Sequence, residues 1–465
     1  MKILHYFLGF PPLHDGGLMI YATDLAKEQL KMGHNVAMLM PGIYTGDMSK
    51  SEIKFYKMQE GLPIYQIINP QLMVFPWVNT SDGFIKQKST NNYRDFLKKH
   101  EFKILHVHSL MGFPIELLNE AKTLNIKTVF TTHDYFGLCP SIDFFKYDNS
   151  LCSDYKNGEE CLLCTYHTRN YNYSKRNLKI LINKHYLSSY TINLMLRLLK
   201  KAKNNTLSFD NNIDYKEIEH NKEKKKAFMH FREYYKTILE KFDIVLFNSR
   251  ITKSEYGKYV NLNNIKHEIL NITHSGIQDN RNIIKYKPLI SDKVSFLFMG
   301  YLNKKKGFFD LINVLNEIRQ RYTNWELNIY GDCSDIDMSK LDKNFFKFHG
   351  KYGHEDLSNI FSNSSVLIIP SKWKETFGFI GLEAYSYGIP AVVSDNVGFT
   401  DLITNGVNGI IYKDDDSNEN LKESLIKILE HPMLLKNYHE EILKGKFKYL
   451  MEEHCKEVLN CYESI

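Results

Sequence analysis

Nowhere in this 465-residue sequence do about eighteen apolar residues run together, which excludes a bilayer-spanning helix of the usual length. Charge of one sign is also scarce. The 60 basic and 54 acidic residues leave a net charge of only +6, so the average surface is not that of a nucleic-acid binder and no nucleic-acid partner is expected. No G-x-G-x-x-G follows the first apolar run, which argues against a nicotinamide dinucleotide site. The opening MKILHYFLGFPP holds one lysine, and Gly9, Pro11 and Pro12 break its apolar run. It reads as a first strand and loop rather than a secretory signal, with a cytosolic location as the expectation. In that reducing compartment the seven cysteines are thiols or metal ligands rather than structural disulfides.

What the sequence does contain is apolar residues, 43% of the chain, and a length that suits two domains of roughly 200 residues each. Short β-rich runs alternate with stretches of helical period: KILHYFL, NVAMLM, KILHVHS, KTVFTTH and DIVLFNS, then VSFLFMG, WELNIYG, FFKFHG, VLIIPS, PAVVSD and NGIIY. Uninterrupted apolar strands between helices indicate parallel sheets covered on both faces. Because the series occurs twice, the expected fold is α/β, two doubly wound Rossmann-like domains facing a cleft, with ligands at the carboxyl ends of the strands. The polar stretch 278–293 reads as the linker. The expected boundaries are 1–280 for the first domain, with an insertion at about 139–230, 281–432 for the second, and 433–465 for a helical segment crossing back to the first.

Inside the insertion, residues 169–203 carry nine basic residues, Arg169 to Lys203, and no Asp or Glu, interleaved with apolar runs. That profile fits either a basic amphipathic helix on an anionic membrane surface or a solvated helical insertion. Just before it, Cys139, Cys152, Cys161 and Cys164 end in C-x2-C. Four thiolates could hold a structural zinc tetrahedrally; thiols without metal, or a stress-formed disulfide, are the alternatives.

Near the end of the second series, ETFGFIGLEAYSYGIPAVVSDNVG begins at Glu375. VLIIPS is a strand, and a helix is expected from about Gly378 to Gly388, ahead of Pro390. Glu375 then lies in the strand-to-helix loop and Glu383 inside the helix. A helix start at the end of a parallel strand presents unpaired N–H groups and positive dipole to an anion. Two ionised carboxylates flanking it suit a ligand with hydroxyl donors on both sides of a diphosphate, which is the form of a nucleotide sugar.

The pattern E-T-F-G-x4-E-A followed by G-I-P-A-V-V-S resembles the Glu-x7-Glu signature of retaining glycosyltransferases of the GT-B fold, glycosyltransferase family 4. DGGLMIYATDLAKEQLKMGHNV, TTHDYF, FNSRITKSEY, HSGI, FLFMGYLNKKKGFFDLI and PSKWKETFGF agree in order, while 169–230 finds no match. The resemblance implies donor binding by Gly16, Gly17, Lys306, Glu375, Phe377, Gly378 and Glu383. Gly16 and Gly17 would let the backbone approach the donor phosphate, Lys306 would neutralise the leaving diphosphate, and Glu383 would hold the ribose. His133, Lys306 and Glu375 would be the catalytic group. Where many members carry Arg after the glycine that precedes the lysine, this chain has Tyr301. The implied activity is retaining transfer from a nucleotide-diphosphate sugar to a glycan or lipid-linked acceptor, with no cofactor required. The implied setting is surface polysaccharide or glycoconjugate synthesis, in the cytoplasm or on the inner face of the cell membrane. A noncatalytic nucleotide-sugar-binding subunit supporting a partner transferase is the alternative. His106 and His108, at the end of ILHVHS, read more readily as packed or hydrogen-bonded histidines than as ligand contacts.

Overall fold

In the computed structural model each apolar run of the sequence becomes a strand, and the chain is described over residues 1–10, 16–43, 45, 49–71, 89–90, 92–166, 191, 194, 197–198, 222–332, 341–415 and 417–465. The chain divides into two units. The first holds Met1–Phe247, Ser254–Leu270 and Cys455–Ile465, and the second Asn248–Lys253 and Asn271–His454.

The first unit carries β1 (Lys2–Tyr6), β2 (Asn35–Pro41), β3 (Lys50–Gln59), β4 (Leu62–Ile68), β5 (Ser89–Thr90), β6 (Ile104–Val107), β7 (Lys127–Thr131), β8 (Ile244–Phe247) and β9 (His267–Ile269) in one sheet of order β5-β3-β4-β2-β1-β6-β7-β8-β9. All neighbours are parallel except β3 and β4. β1 is central, with Ile3 level with Val36 on one side and Ile104 on the other. Alternation along β1 sends Leu4 and Tyr6 into a core with Leu105, Leu117 and Phe130, while Phe7 joins Ala22, Ala26 and Met38 in another. Burial on both faces is why these strands read as unbroken apolar runs.

The second unit carries β10 (Val294–Met299), β11 (Trp325–Tyr330), β12 (Phe346–Gly350), β13 (Val366–Ile369), β14 (Ala391–Ser394) and β15 (Ile410–Tyr412) in the order β12-β11-β10-β13-β14-β15, all parallel. This order reverses direction between β10 and β13. At such a switch point the loops leaving two adjacent strands diverge and open a crevice for ligand. Its core joins Phe296, Leu327, Val366 and Val392 to the apolar stripe of helix Phe308–Ile318 and to helix Glu419–Glu430.

The units depart from the expected boundaries for identifiable reasons. The polar stretch 278–293 is part of the second unit, not a linker. Arg281 bonds Asp279 at 2.7 Å and the Ile442 carbonyl at 2.8 Å, and Tyr286 donates to the Ser365 carbonyl at 2.7 Å. The segment from 433 does not belong wholly to the first unit: Leu435 and Tyr438 of helix Met433–Leu443 lie in the second unit's core, and only Cys455–Ile465 is counted with the first. There Tyr462 bonds His106 at 2.6 Å. No helix among the described residues is long and apolar enough to cross a membrane. Of the basic stretch 169–203, all but residues 191, 194, 197 and 198 lies outside the described residues.

Candidate active site

In the second unit the site is built by the loops leaving β10 and β13. The first loop runs from Gly300, with φ +125°, to Gly307, with φ +67°. A Cβ on Gly307 would stand 1.7 Å from the Pro370 carbonyl oxygen, so only glycine lets this loop close onto the end of β13. The Lys372 N–H donates to the Lys305 carbonyl at 2.9 Å, and the Asn303 side chain accepts from the Lys306 N–H at 2.9 Å. So held, the Lys306 ammonium lies 2.5 Å from Glu375 Oε1, and the Ser371 hydroxyl donates to Glu375 Oε2 at 2.8 Å. Both side chains of the pair are largely buried, Lys306 at 18% and Glu375 at 12% exposure. Trp373 flanks them, with its ring centroid 5.1 Å from the Lys305 ammonium and 5.6 Å from that of Lys306. Tyr301 is 64% exposed.

Glu375 leads directly into helix Phe379–Ser386, which Gly378 caps in a left-handed conformation at φ +99°. Two hydroxyls, Ser249 at 2.6 Å and Thr252 at 3.1 Å, donate to the Thr376 carbonyl. Phe377 is buried, and its carbonyl accepts from the Phe399 N–H at 2.6 Å. One turn inside, a Cβ on Gly381 would sit 2.3 Å from the Phe399 ring, so glycine is what allows the helix to seat there. A Cβ on Gly378 would stand 3.7 Å from Glu375 Oε1, so the helix start lies beside the Lys306–Glu375 pair, at the end of the helix that carries positive dipole.

Glu383 lies further along this helix and is buried. His274 Nε2 is 3.5 Å and His354 Nε2 3.8 Å from its Oε1. The Gly276 N–H donates to His274 Nδ1 at 3.2 Å, which places the His274 proton on Nε2, facing the carboxylate. These three residues form a group whose ligand atoms lie within 4.8 Å of one another, as do His5, His106 and His108 in the first unit.

In the first unit Gly16, with φ +117°, precedes helix Gly17–Lys31. Tyr21 of this helix packs against the half-buried His133, with ring centroids 4.8 Å apart. Beside His133, loss of solvent raises the Asp134 carboxyl to about 6, opposed by hydrogen bonds from the Phe136 N–H and the Ser109 hydroxyl. Behind them runs a buried polar chain. Gln29 Nε2 donates to the Tyr462 hydroxyl at 3.2 Å, leaving Gln29 Oε1 to accept from His5 Nε2 at 2.7 Å. His5 Nδ1 must then accept from His108 Nε2 at 2.9 Å. Burial lowers His5 to about 4 against that glutamine bond, and lowers His108 well below its usual value with nearby histidines adding to the effect. His106 and His108 are therefore structural members of this chain, His106 bonding Thr131 at 2.7 Å.

The structure thus gathers Lys306, Glu375, Phe377, Gly378 and Glu383 at one switch point of the second unit, and sets Gly16, Gly17 and His133 on neighbouring elements of the first. Sequence reading missed Ser249, Thr252, Trp373 and His354. Ser249 and Thr252 lie within FNSRIT, whose Asn248–Lys253 stretch belongs to the second unit, where their hydroxyls hold the ETFG loop. His354, in GHED, had no periodic or spacing signal.

The profile described as Glycosyltransferase Family 4 matches residues 15–271, and that of Glycosyl transferases group 1 matches 279–444. The chain is 30% identical over 129 residues to an uncharacterized 41.2 kDa protein in the cps region of Klebsiella pneumoniae, covering 28% of this chain and 35% of that one. It is 28% identical over 120 residues to glycogen synthase of Mycobacterium tuberculosis, covering 24% and 29% respectively. The chain therefore spans about a third of the length of the curated relatives it matches. Among solved structures, sucrose-phosphate synthase from Thermosynechococcus elongatus aligns over 100% of this chain and 98% of its own, at 15% identity and a TM-score of 0.55. A glycosyltransferase from Rickettsia africae aligns over 100% and 98%, at 15% identity and 0.57. The Anabaena HepE complex with UDP and glucose aligns over 100% of both chains, at 13% and 0.55. At these identities the likeness is one of fold, and the fold is that of GT-B glycosyltransferases. With one profile covering more than half of its length and a second covering most of the rest, the chain belongs to the glycosyltransferases that these two profiles describe.

Proposed function

We propose that the chain is a retaining glycosyltransferase of family 4 type that moves a sugar from a nucleotide-diphosphate donor to a glycan or lipid-linked acceptor in surface polysaccharide or glycoconjugate synthesis. The observation that carries this reading is the Lys306–Glu375 pair, held at 2.5 Å beside the Gly378 helix start. An arriving diphosphate competes for Lys306, and Glu375, released from its ion pair, accepts from sugar hydroxyls. As the bond from the anomeric carbon to the phosphate oxygen lengthens, negative charge grows on the diphosphate. Lys306 and the helix start already lie beside it, so they stabilise it without reorganisation. Glu383, with a proton-bearing His274 nitrogen on one side, accepts from the ribose hydroxyls. His133 and the Gly16–Gly17 backbone contribute as the resemblance implies, bordering the reacting sugar and the donor phosphate. In this reading Lys306 and the helix start supply the positive charge, and no metal cofactor is required.

Structurally similar proteins support a nucleotide-sugar donor and a polysaccharide setting. HepE is described in complex with UDP and glucose, starch synthase IV from Arabidopsis thaliana bound to ADP and acarbose, and another fold neighbour as a lipopolysaccharide outer core galactosyltransferase. Any approach to an anionic inner membrane face would come through residues 169–203.

A thermal-shift screen over nucleotide sugars tests the donor site, since a ligand that binds only the folded state raises the midpoint by mass action. Glu383→Ala should lose most of the shift; an equal shift in that variant would sink the ribose assignment. The anomeric form of the product, read by proton nuclear magnetic resonance, decides retention. A second reading, a noncatalytic donor-binding subunit, is favoured by Tyr301, which offers no cation where the resemblance expects Arg. Donor hydrolysis or transfer by the isolated chain separates the two.

A further inference from the structure

The segment after His133 builds a second feature that the transfer chemistry does not use. Cys139, Cys152, Cys161 and Cys164 line one small cavity together with Arg232 and Glu160. The Cys139 N–H donates to the Tyr135 carbonyl at 2.8 Å, and the Cys152 N–H to the Phe144 carbonyl at 2.7 Å, which fixes both loop positions. Cys161 and Cys164 are three apart on helix Glu159–Tyr166 and so share a face. None of the four is in a disulfide.

The decisive neighbour is Arg232, which reaches the cavity from helix Lys222–Leu239 and is only 6% exposed. Its guanidinium donates to the Cys161 sulfur at 3.1 Å and to the Phe228 carbonyl at 3.1 Å, and stands 3.8 Å above the Tyr155 ring. Its Nε has no hydrogen-bond partner, and among the described residues no carboxylate lies within ion-pair distance. Glu160, the carboxylate in the cavity wall, is taken by Lys156 at 2.7 Å and Lys146 at 3.5 Å. Asp143, buried beside Cys139, and Glu160 are the nearby carboxylates, but neither forms an ion pair with the guanidinium, and a buried cation without a direct partner is costly. Four neutral thiols do not supply a counter-charge, whereas a zinc ion bound by four thiolates carries two net negative charges.

We propose that Cys139, Cys152, Cys161 and Cys164 bind one zinc ion and that Arg232 is its built-in counter-charge, donating to the Cys161 sulfur. Each thiol releases its proton to solvent as its sulfur–metal bond forms, so one divalent ion replaces four protons. The sulfurs must draw inward. Tetrahedral ligation at about 2.3 Å places sulfurs roughly 3.8 Å apart, and the described groups already within 4.8 Å of one another are the two histidine groups, not the cysteines. Arg232 is a positioning residue here, and the site ties the 139–164 segment to helix Lys222–Leu239.

The test uses the full chain, purified under reducing conditions without a histidine tag. About one zinc per chain by elemental analysis is expected, with a melting temperature that falls on chelation and recovers on adding zinc. Cobalt exchanged into the site should give a thiolate-to-metal charge-transfer band. Arg232→Met should weaken metal affinity about tenfold or more and shift that band, with Arg232→Lys restoring part of both. Should Arg232→Met fail to fold, the wild-type metal content and cobalt spectrum decide alone. Wild-type protein with all four thiols reduced, no bound zinc and no response to added zinc would overturn the proposal, as would an Arg232→Met variant whose affinity and spectrum match wild type.

Discussion

Acidifying the protein should loosen the first unit through His5, and the size of the effect follows from its surroundings. In the folded chain His5 is fully buried, with its Nε2 proton committed to Gln29 and its Nδ1 accepting from His108. Protonating Nδ1 would set two N–H groups facing each other across 2.9 Å in a dry site. Burial accordingly lowers its pKa from 6.5 to about 4. The unfolded chain therefore binds the extra proton first as pH falls. The stability that neutral His5 contributes is complete above pH 6.5, declines through the interval down to about 4, and falls no further once both states are protonated. At about 1.4 kcal/mol per pH unit, linkage gives a loss of about 2 kcal/mol between pH 7 and pH 5 and about 3 kcal/mol by pH 4 for this residue alone. His108, lowered in the same direction, adds to it. Hydrogen exchange of peptides containing β1 and β6, corrected for intrinsic exchange rates, gives the opening free energy of this sheet at each pH. His5→Gln should start less stable at pH 7 but lose stability less steeply, by about one proton. If the two proteins gave parallel profiles, the assignment of a neutral, buried His5 would be wrong.

Replacing Lys306 with Ala should lower kcat by about a hundredfold or more, the usual consequence of removing one preorganised donor from a developing anion. Combined with Glu375→Gln the loss should be far less than the product of the single effects, because each alone strands the other member of a largely buried pair; full additivity in steady-state kinetics would show that the two do not act together. Gly307→Ala should destabilise the second unit by several kcal/mol, since a Cβ there meets a backbone oxygen at 1.7 Å and the residue has φ +67°. The emission of Trp325 and Trp373, both in the second unit, should shift at lower urea in that variant, and an unchanged midpoint would contradict the tight loop closure.

The parallel strands were legible because burial on both faces leaves a continuous apolar run, as in VSFLFM and VLII. The β3–β4 hairpin was not, although its signal exists: Glu60 and Gly61, both with positive φ, form a two-residue turn between runs of β-forming residues. Glu375, Gly378 and Glu383 could be placed because glycine, proline and strand order fix the strand-to-helix geometry around them. The unit boundaries were misplaced because 278–293 is polar in composition yet anchored by Arg281 and Tyr286 through bonds no local pattern announces. The same holds for His274 and His354, which sequence separates from Glu383 by 109 and 29 positions, and for Arg232, whose helix reads as an ordinary amphipathic one.

The loop between Gly300 and Gly307 is fixed at one end and tolerant at the other. At Gly307 the backbone leaves no space for any side chain, while Tyr301 projects most of its surface outward. For anyone wishing to redirect donor preference by directed evolution, this asymmetry identifies where diversity can be introduced: libraries at Tyr301 should yield folded clones in abundance, and libraries that include Gly307, or the core residue Leu302, should be mostly lost before selection begins.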